Sequence, residues 1–229
     1  MLRLCGAQLI EVPAVPFKNP NNYVHQAERK AKEMRLEEPN GVLYANQWDN
    51  TSNRMGHYQS TGPEIWQQTN GEIDGFICAI GTGGTLAGVS MFLKEKNKII
   101  KTAAADPMGA AMYSYIKRGE LISEGSSISE GIGQGRVTGN IADAPFDDAY
   151  QITDEEALPV LFDLLSNEGL CLGASSGVNV AGAIKLGKEM GPGNTIVTVL
   201  CDSGTKYHSK LFNPEFLREK KLPIPAWME

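Results

Sequence analysis

Short apolar runs alternate along this chain with stretches whose apolar positions recur at helical spacing. The runs LIEVPAV (9–15), VLYAN (42–46), GFICAI (75–80), IIKTAAAD (99–106) and TIVTVLCD (195–202) predict strands. Between them, Asn21-Asn22 cap a helix over YVHQAERKAKEM, with Tyr23, Ala27 and Ala31 on one face. A second helix covers PEIWQQT, with Pro63 just inside its start and Asn70-Gly71 at its end. A third runs from Thr85 to about Lys96. Thr153 followed by Asp154, Glu155 and Glu156 is a well-capped start for EEALPVLFDLL, although Pro159 in its early turns leaves that boundary open. A further helix spans Val178 to Glu189 and closes on Gly191. Strands that alternate with helices predict an α/β fold with a parallel sheet, its loops gathered at the carboxyl ends of the strands.

The opening MLRLCGA reads as the last turn of a helix closing on Gly6. An isolated turn does not offset its nucleation cost, so the chain is expected to be cut from a longer one. The tail FNPEFLREKKLPIPAWME, with its prolines, is expected to lie as a surface arm.

Composition narrows the classes. The chain has 229 residues, room for one large domain or one domain and part of another. A formal net charge of −6 argues against a nucleic-acid footprint or a basic membrane-binding face. No apolar run reaches the roughly 20 residues needed to span a bilayer. Cys5, Cys78, Cys171 and Cys201 are far apart and include no C-x-x-C pair, so metal-ligand spacing is absent and a reducing, cytoplasmic setting fits. Cys78 and Cys201 fall within apolar runs and are expected to be small core residues. His25, His57 and His208 stand alone in sequence and are expected to be surface or internally satisfied groups. No Ser-His-Asp grouping or G-x-S-x-G elbow points to a hydrolase.

The candidate chemistry lies in three glycine-rich loops. After GFICAI the chain passes through Gly81-Thr82-Gly83-Gly84-Thr85 into a helix. Glycines let several backbone N–H groups turn inward, and the helix start adds unsatisfied donors and a positive dipole end. That is the physics of an anion cradle, most simply for a phosphate, without the lysine of a Walker loop or the G-x-G-x-x-G spacing of a dinucleotide site. GASSGVN (173–179) presents Ser175 and Ser176 before a helix: both cap it, or one faces a ligand while the other caps. EGIGQGR (130–136) suits either a packing turn or close backbone approach to a small molecule. Loops of this kind converge on one face of the sheet.

Taken in order, TGPEIW (61–66), GTGGTLAGV (81–89), DPMGAA (106–111), EGIGQG (130–135), GASSG (173–177) and LCDSGTKY (200–207) resemble the cysteine synthase family. These are pyridoxal-phosphate enzymes (O-acetylserine sulfhydrylases) of the tryptophan synthase β-type fold, and the resemblance runs over nearly the whole chain. Cystathionine β-synthases and serine or threonine ammonia-lyases share the fold, but TGPEIW and GTGGTLAG are nearer to cysteine synthase. The resemblance implies a remaining part of a small, cofactor-covering domain at 1–48, a large phosphate-binding α/β domain at 49–215 and the arm at 216–229. It implies that Gly81, Thr82, Gly83, Gly84 and Thr85 hold the phosphate of pyridoxal 5′-phosphate and that Ser175 hydrogen-bonds its ring nitrogen. Gln47 is then near cofactor and substrate, and Gly131, Ile132 and Gly133 flank the substrate. In the family, O-acetylserine loses acetate and sulfide takes its place, giving cysteine. A homodimer in the full-length form and serine acetyltransferase as a partner follow from the same resemblance, with no nucleic acid, membrane or metal.

One departure is large. The family's cofactor lysine lies in an S-x-K-D-R-like segment and its substrate-carboxylate loop has a T-S-G-N-T-like sequence, and neither occurs here. No catalytic residue is therefore assigned, and the chain is expected to be truncated at its N-terminus and inactive alone. A cystathionine β-synthase-like enzyme, or a non-catalytic remnant that binds a phosphate ligand or a partner, are the alternatives.

Overall fold

The sheet grows outward from one central strand. In the computed structural model, which describes residues 1–228, β1 (Gly75–Cys78) pairs in parallel with β2 (Lys101–Pro107) on one side. On its other side β1 pairs with β4 (Ile196–Thr198), and β3 (Asp148–Ile152) adds in parallel beyond β2. The order β3-β2-β1-β4 means that the chain builds one way from β1 and then returns to β1's other edge. The carboxyl ends of β1 and β4 therefore flank the point where the order reverses, the usual position of a ligand crevice in open α/β sheets.

Contacts divide the chain into two units, Met1–Gln47 and Trp48–Glu229. Within the first, Leu2–Cys5 forms a short 3-10 turn that closes on Gly6 in the left-handed region. Helix α1 (Tyr23–Met34) is capped by the Asn22 side chain, which accepts from the Val24 N–H, as the sequence predicts. The expected strands over 9–15 and 42–46 do not form: neither carries a ladder among the described residues. A strand is stable only against a partner edge, and propensity alone does not supply one.

The second unit holds the sheet and its flanking helices. Helices α2 (Ser52–Gln59) and α3 (Thr61–Gln68) pack on α4 (Gly84–Lys96). Gly88 makes the α2 contact close, since a Cβ there would lie 2.2 Å from the Arg54 carbonyl. Successive strand residues face opposite layers: Phe76 and Cys78 pack with Leu86, Val89 and Leu93 of α4, while Ile77, Ala103 and Ala105 pack with α7 (Ala174–Met190). The small residues of β2 let α7 approach, and a Cβ on Gly182 would lie 2.7 Å from that of Ala105. Helix α5 (Met112–Arg118) follows β2, and α6 (Asp154–Glu168) follows β3. Thr153 and Glu156 form a reciprocal capping box, and Pro159 is carried inside α6. In the tail, α8 (Pro214–Glu219) is capped by Asn213, and Leu211 and Leu217 bury against Leu158, Leu161 and Phe162 of α6. Glu229, the last residue of the expected arm, lies outside the described residues. Among the described residues, no helix is long and apolar enough to cross a membrane.

One strand end and one helix start differ from expectation. Regular pairing of β4 stops at Thr198, so Cys201 lies beyond the ladder and is exposed, whereas Cys78 in β1 is buried as expected. Helix α7 begins at Ala174, before the predicted Val178, so the GASSG segment is its first turn and not a loop.

Candidate functional site

At the carboxyl end of β1 the chain turns through Gly81 and Thr82, then Gly83, at φ 86°, serves as N-cap of α4. The N-cap glycine has no side chain with which to cap this helix, so beyond the Gly84 N–H, which reaches Thr82 Oγ1, the first-turn N–H groups keep their donors for whatever enters. These residues line a cleft of about 620 Å³ together with Glu130, Gly131 and Ile132 from the second glycine loop. Ser175, in the first turn of α7, and Cys201, Asp202 and Tyr207, which follow β4, complete the lining. The sequence-predicted residues Gly81 to Thr85, Ser175, Gly131 and Ile132 are thus gathered in one place.

Thr82 is held so that one hydrogen remains to be given. Its Oγ1 accepts from Asn53 Nδ2 at 3.0 Å and from the Gly84 N–H at 3.3 Å. Both lone pairs are then used, and the hydroxyl hydrogen is left for the cleft. The Thr82 carbonyl is tied down by Thr138 Oγ1 at 2.7 Å. Ser175 is 7 % exposed, and its hydroxyl makes no hydrogen bond among the described residues. Ser176 differs: its Oγ accepts from the Cys201 N–H at 2.9 Å, so neither serine caps α7.

The second glycine loop is stitched under the cradle. The Gly133 N–H bonds the Ile80 carbonyl at 3.0 Å, and Gln134 Nε2 reaches the Gly81 carbonyl at 3.2 Å. A Cβ on Gly81 would lie 2.7 Å from the Gly131 carbonyl oxygen, so glycine is required for this approach. Gly133 supports the cradle from below and is not among the residues lining the cleft. Gln47 belongs to the first unit, where it is exposed.

Several supporting residues are not evident from sequence. Asn53 and His57 lie one turn apart on α2, and both meet the cradle: Asn53 on Thr82, and His57 Nε2 on Thr85 Oγ1 at 3.1 Å. Their i, i+4 spacing is a signal that the sequence does carry. Asn179 joins the two strand ends, accepting from the Ala79 N–H and donating to the Val199 carbonyl, each at 2.7 Å. Tyr207 donates to Asp202 Oδ2 at 2.9 Å, and that carboxylate, with burial, pushes the phenol up to about 12. Lys206 pairs with Asp202 and Lys210 with Glu130, so both rim carboxylates are compensated. No lysine lines the cleft among the described residues.

A cleft with an uncapped helix start, a spare threonine hydrogen and an unpartnered serine hydroxyl suits a ligand with an anionic end and a polar, planar end. The comparisons with known proteins bear on which. A family model described as "Pyridoxal-phosphate dependent enzyme" matches residues 1–202. Cysteine synthase 1 of Emericella nidulans is 44% identical over 236 residues, covering 100% of this chain and 62% of that protein. Cysteine synthase 2 of Schizosaccharomyces pombe is 41% identical, covering 97% of this chain and 60% of that protein. The chain therefore spans about three fifths of the length of these relatives. Among solved structures, an O-acetylserine dependent cystathionine beta-synthase from Helicobacter pylori superposes with a TM-score of 0.69 at 30% identity, covering 80% of this chain and 57% of that one.

Proposed function

The chain belongs to the family of pyridoxal-phosphate dependent enzymes, and we propose that its cleft holds that cofactor for replacement of a leaving group on the β-carbon of an amino acid. The observation that carries this reading is the pairing, in one cleft, of the uncapped α4 start with the unpartnered Ser175 hydroxyl. The donors fit the group. N–H groups of the first α4 turn and the Thr82 hydroxyl would hold the phosphate, whose charge the helix dipole favours. Ser175 would meet the ring nitrogen. When bound, pyridoxal phosphate supplies the electron sink that lets a group depart from the β-carbon. A neutral hydroxyl at the ring nitrogen, where a carboxylate would favour the protonated ring, moderates that sink and suits elimination and replacement. The backbone of Gly131 and Ile132 would flank the substrate and narrow water's access.

For the whole protein we propose O-acetylserine and sulfide as substrates: acetate leaves the β-carbon and sulfide takes its place, giving cysteine. Two relatives named cysteine synthase support this reading. A second reading, in which the thiol of homocysteine replaces sulfide as acceptor, is favoured by the Helicobacter pylori neighbour. A homodimer, serine acetyltransferase as a partner and a cytoplasmic setting belong to the same proposal and rest on the resemblance alone.

The test of the cofactor reading is titration of the chain with pyridoxal 5′-phosphate, followed by tryptophan fluorescence. Affinity is expected to fall in Thr82→Val and Ser175→Ala; affinity unchanged in both sinks the reading. Competition between sulfide and homocysteine for O-acetylserine, in the protein as its own cells make it, separates the two acceptors.

A further inference from the structure

The stretch of the second glycine loop that lines the cleft, Glu130 to Ile132, makes no backbone hydrogen bond among the described residues. Gly131 and Gly133 both adopt positive φ, at 78° and 88°, where a glycine backbone is permissive and does not set its own course. The place of this stretch is therefore imposed by what holds the chain on either side. Downstream, the Gly133 N–H bonds the Ile80 carbonyl, and the Ala111 N–H at the start of α5 bonds the Gln134 carbonyl, each at 3.0 Å.

Upstream the anchor is one carboxylate. Asp154, the first residue of α6, is buried. Its Oδ1 accepts from Ser127 Oγ at 2.6 Å, and its Oδ2 accepts from the Ile128 N–H at 2.9 Å. Ser127 Oγ in turn accepts from the Ser129 N–H at 3.0 Å, which carries the hold to the residue beside Glu130. A charged acceptor strengthens the first two bonds, and the start of α6 adds its positive dipole end to a carboxylate that is otherwise costly to bury. Two further contacts lead to the same frame. The Ile128 side chain packs on the cluster that contains Leu158, Leu161 and Leu211, and Glu130 pairs with Lys210, the neighbour of Leu211.

We propose that Asp154 is a positioning residue for the substrate end of the cleft: by fixing Ser127 and Ile128 it sets where the Gly131 and Ile132 backbone meets the amino-acid part of a bound ligand. Asp154 does not line the cleft, so it acts only through the loop. The helix that follows β3 thus governs a loop that precedes β3 in the chain. The phosphate cradle, built on β1 and α4, lies outside its reach. The inference rests on the reading that the cleft holds pyridoxal phosphate with the amino-acid substrate beside Gly131.

Two probes separate the ends of the cleft. Pyridoxamine 5′-phosphate has no amino-acid part, and phosphopyridoxyl-L-serine adds one, its serine nitrogen joined to the same ring system through a saturated carbon. Both bind without a covalent link to the protein and are measured by calorimetry on the full 229-residue chain. Asp154→Ala is expected to lower affinity for phosphopyridoxyl-L-serine about 5- to 20-fold and to leave that for pyridoxamine 5′-phosphate within about twofold. Asp154→Asn can keep an acceptor for the Ile128 N–H and turn its amide toward Ser127, so it should recover most of the loss. Ser127→Ala removes one hydroxyl and spares the start of α6. It should lower affinity for the serine probe about 2- to 5-fold, and it decides the matter even where Asp154→Ala does not fold. Equal losses for the two probes, or no loss for the serine probe, overturn the inference and leave the cofactor reading standing. A wild-type chain that binds pyridoxamine 5′-phosphate but not the serine probe does the same, and one that binds neither overturns both.

Discussion

The backbone N–H of Ala79 donates to Oδ1 of Asn179, 100 residues further along the chain, at 2.7 Å. The same amide donates to the Val199 carbonyl from its nitrogen. One side chain, 1 % exposed, therefore bonds the chain leaving β1 and the chain leaving β4, where the cleft opens. Asn179→Ala orphans a buried donor and an acceptor together, and about 2–4 kcal/mol of stability should be lost in urea unfolding. Asn179→Asp keeps the size but removes the donor to Val199, and should be nearly as costly. A loss below about 1 kcal/mol for both would mean that β1 and β4 are held by the ladder alone.

Gly84 admits Asn53. A Cβ at Gly84 would sit 2.1 Å from Asn53 Oδ1, so Gly84→Ala must push that amide away from Thr82. Pyridoxamine 5′-phosphate affinity should fall at least about tenfold, with a smaller change in melting temperature, because a hydrogen bond to a charged ligand is lost. Calorimetric titration beside a thermal scan checks both halves.

Ser175→Ala separates the two ends of the ligand. The hydroxyl has no partner to lose among the described residues and alanine favours a helix, so stability should hold or rise by a few tenths of a kcal/mol. Affinity for pyridoxamine 5′-phosphate should drop about 5- to 10-fold while inorganic phosphate binds as before. Equal losses for both ligands would place Ser175 at the phosphate instead.

Asp106 is fully buried, accepts from the Tyr113 N–H at 2.7 Å, and has Oδ1 without a partner among the described residues. Burial raises its carboxyl from 3.8 to about 6. The folded state therefore holds this proton where the unfolded chain has released it. The stabilising contribution is full below about pH 4 and is lost as pH rises through about 6. Asp106→Asn keeps the acceptor for Tyr113 and removes the buried charge, so the variant should gain on wild type by on the order of 2 kcal/mol between pH 4 and 7.5. His57, whose pKa is lowered, works in the other direction as pH falls below about 6.5, and comparing Asp106→Asn with wild type cancels it. Parallel stability curves for the two proteins would contradict the assignment.

Cys201 lines the cleft and is exposed, whereas Cys78 is buried with its thiol pushed well above the ordinary range by burial and by Cys201. Iodoacetamide should label Cys201 and the exposed Cys5 but spare Cys78 in the native chain. Pyridoxamine 5′-phosphate should slow labelling at Cys201 and not at Cys5. Mass spectrometry of the peptides reads each site separately.

The β1–glycine–α4 unit was legible because an apolar run, surplus glycines and a helical pattern follow one another locally. Helix α6 was legible from its capping residues alone. Helix α2 was not: SNRMGHYQ has few apolar positions, and its purpose lies in the polar face bearing Asn53 and His57. Strand β3, DAYQI, mixes polar and apolar residues at the sheet's edge, so the apolar-run signal is weak there. Serine's preference for caps disguised the first turn of α7, where Ser176 bonds Cys201 and Ser175 faces the cleft. The extended runs of the first unit failed as strands because pairing is a tertiary property. Cys201 was misplaced by continuing an apolar run past the end of its ladder.

The return of β4 to the free edge of β1 also sets a schedule for the chain's birth. Thr195 bonds Asp74 across 121 residues, so the strand that completes the crevice is made long after the strand that begins it. As the chain leaves the ribosome, β1, the glycine turn and α4 can assemble with β2 and β3, while Ser175, Cys201 and Asp202 are still to come. A phosphate that arrives early meets an anion cradle without its opposite side. Closing a loop of that length is slow relative to local pairing, which makes docking of β4 a late step of folding and one that a bound ligand would speed or trap.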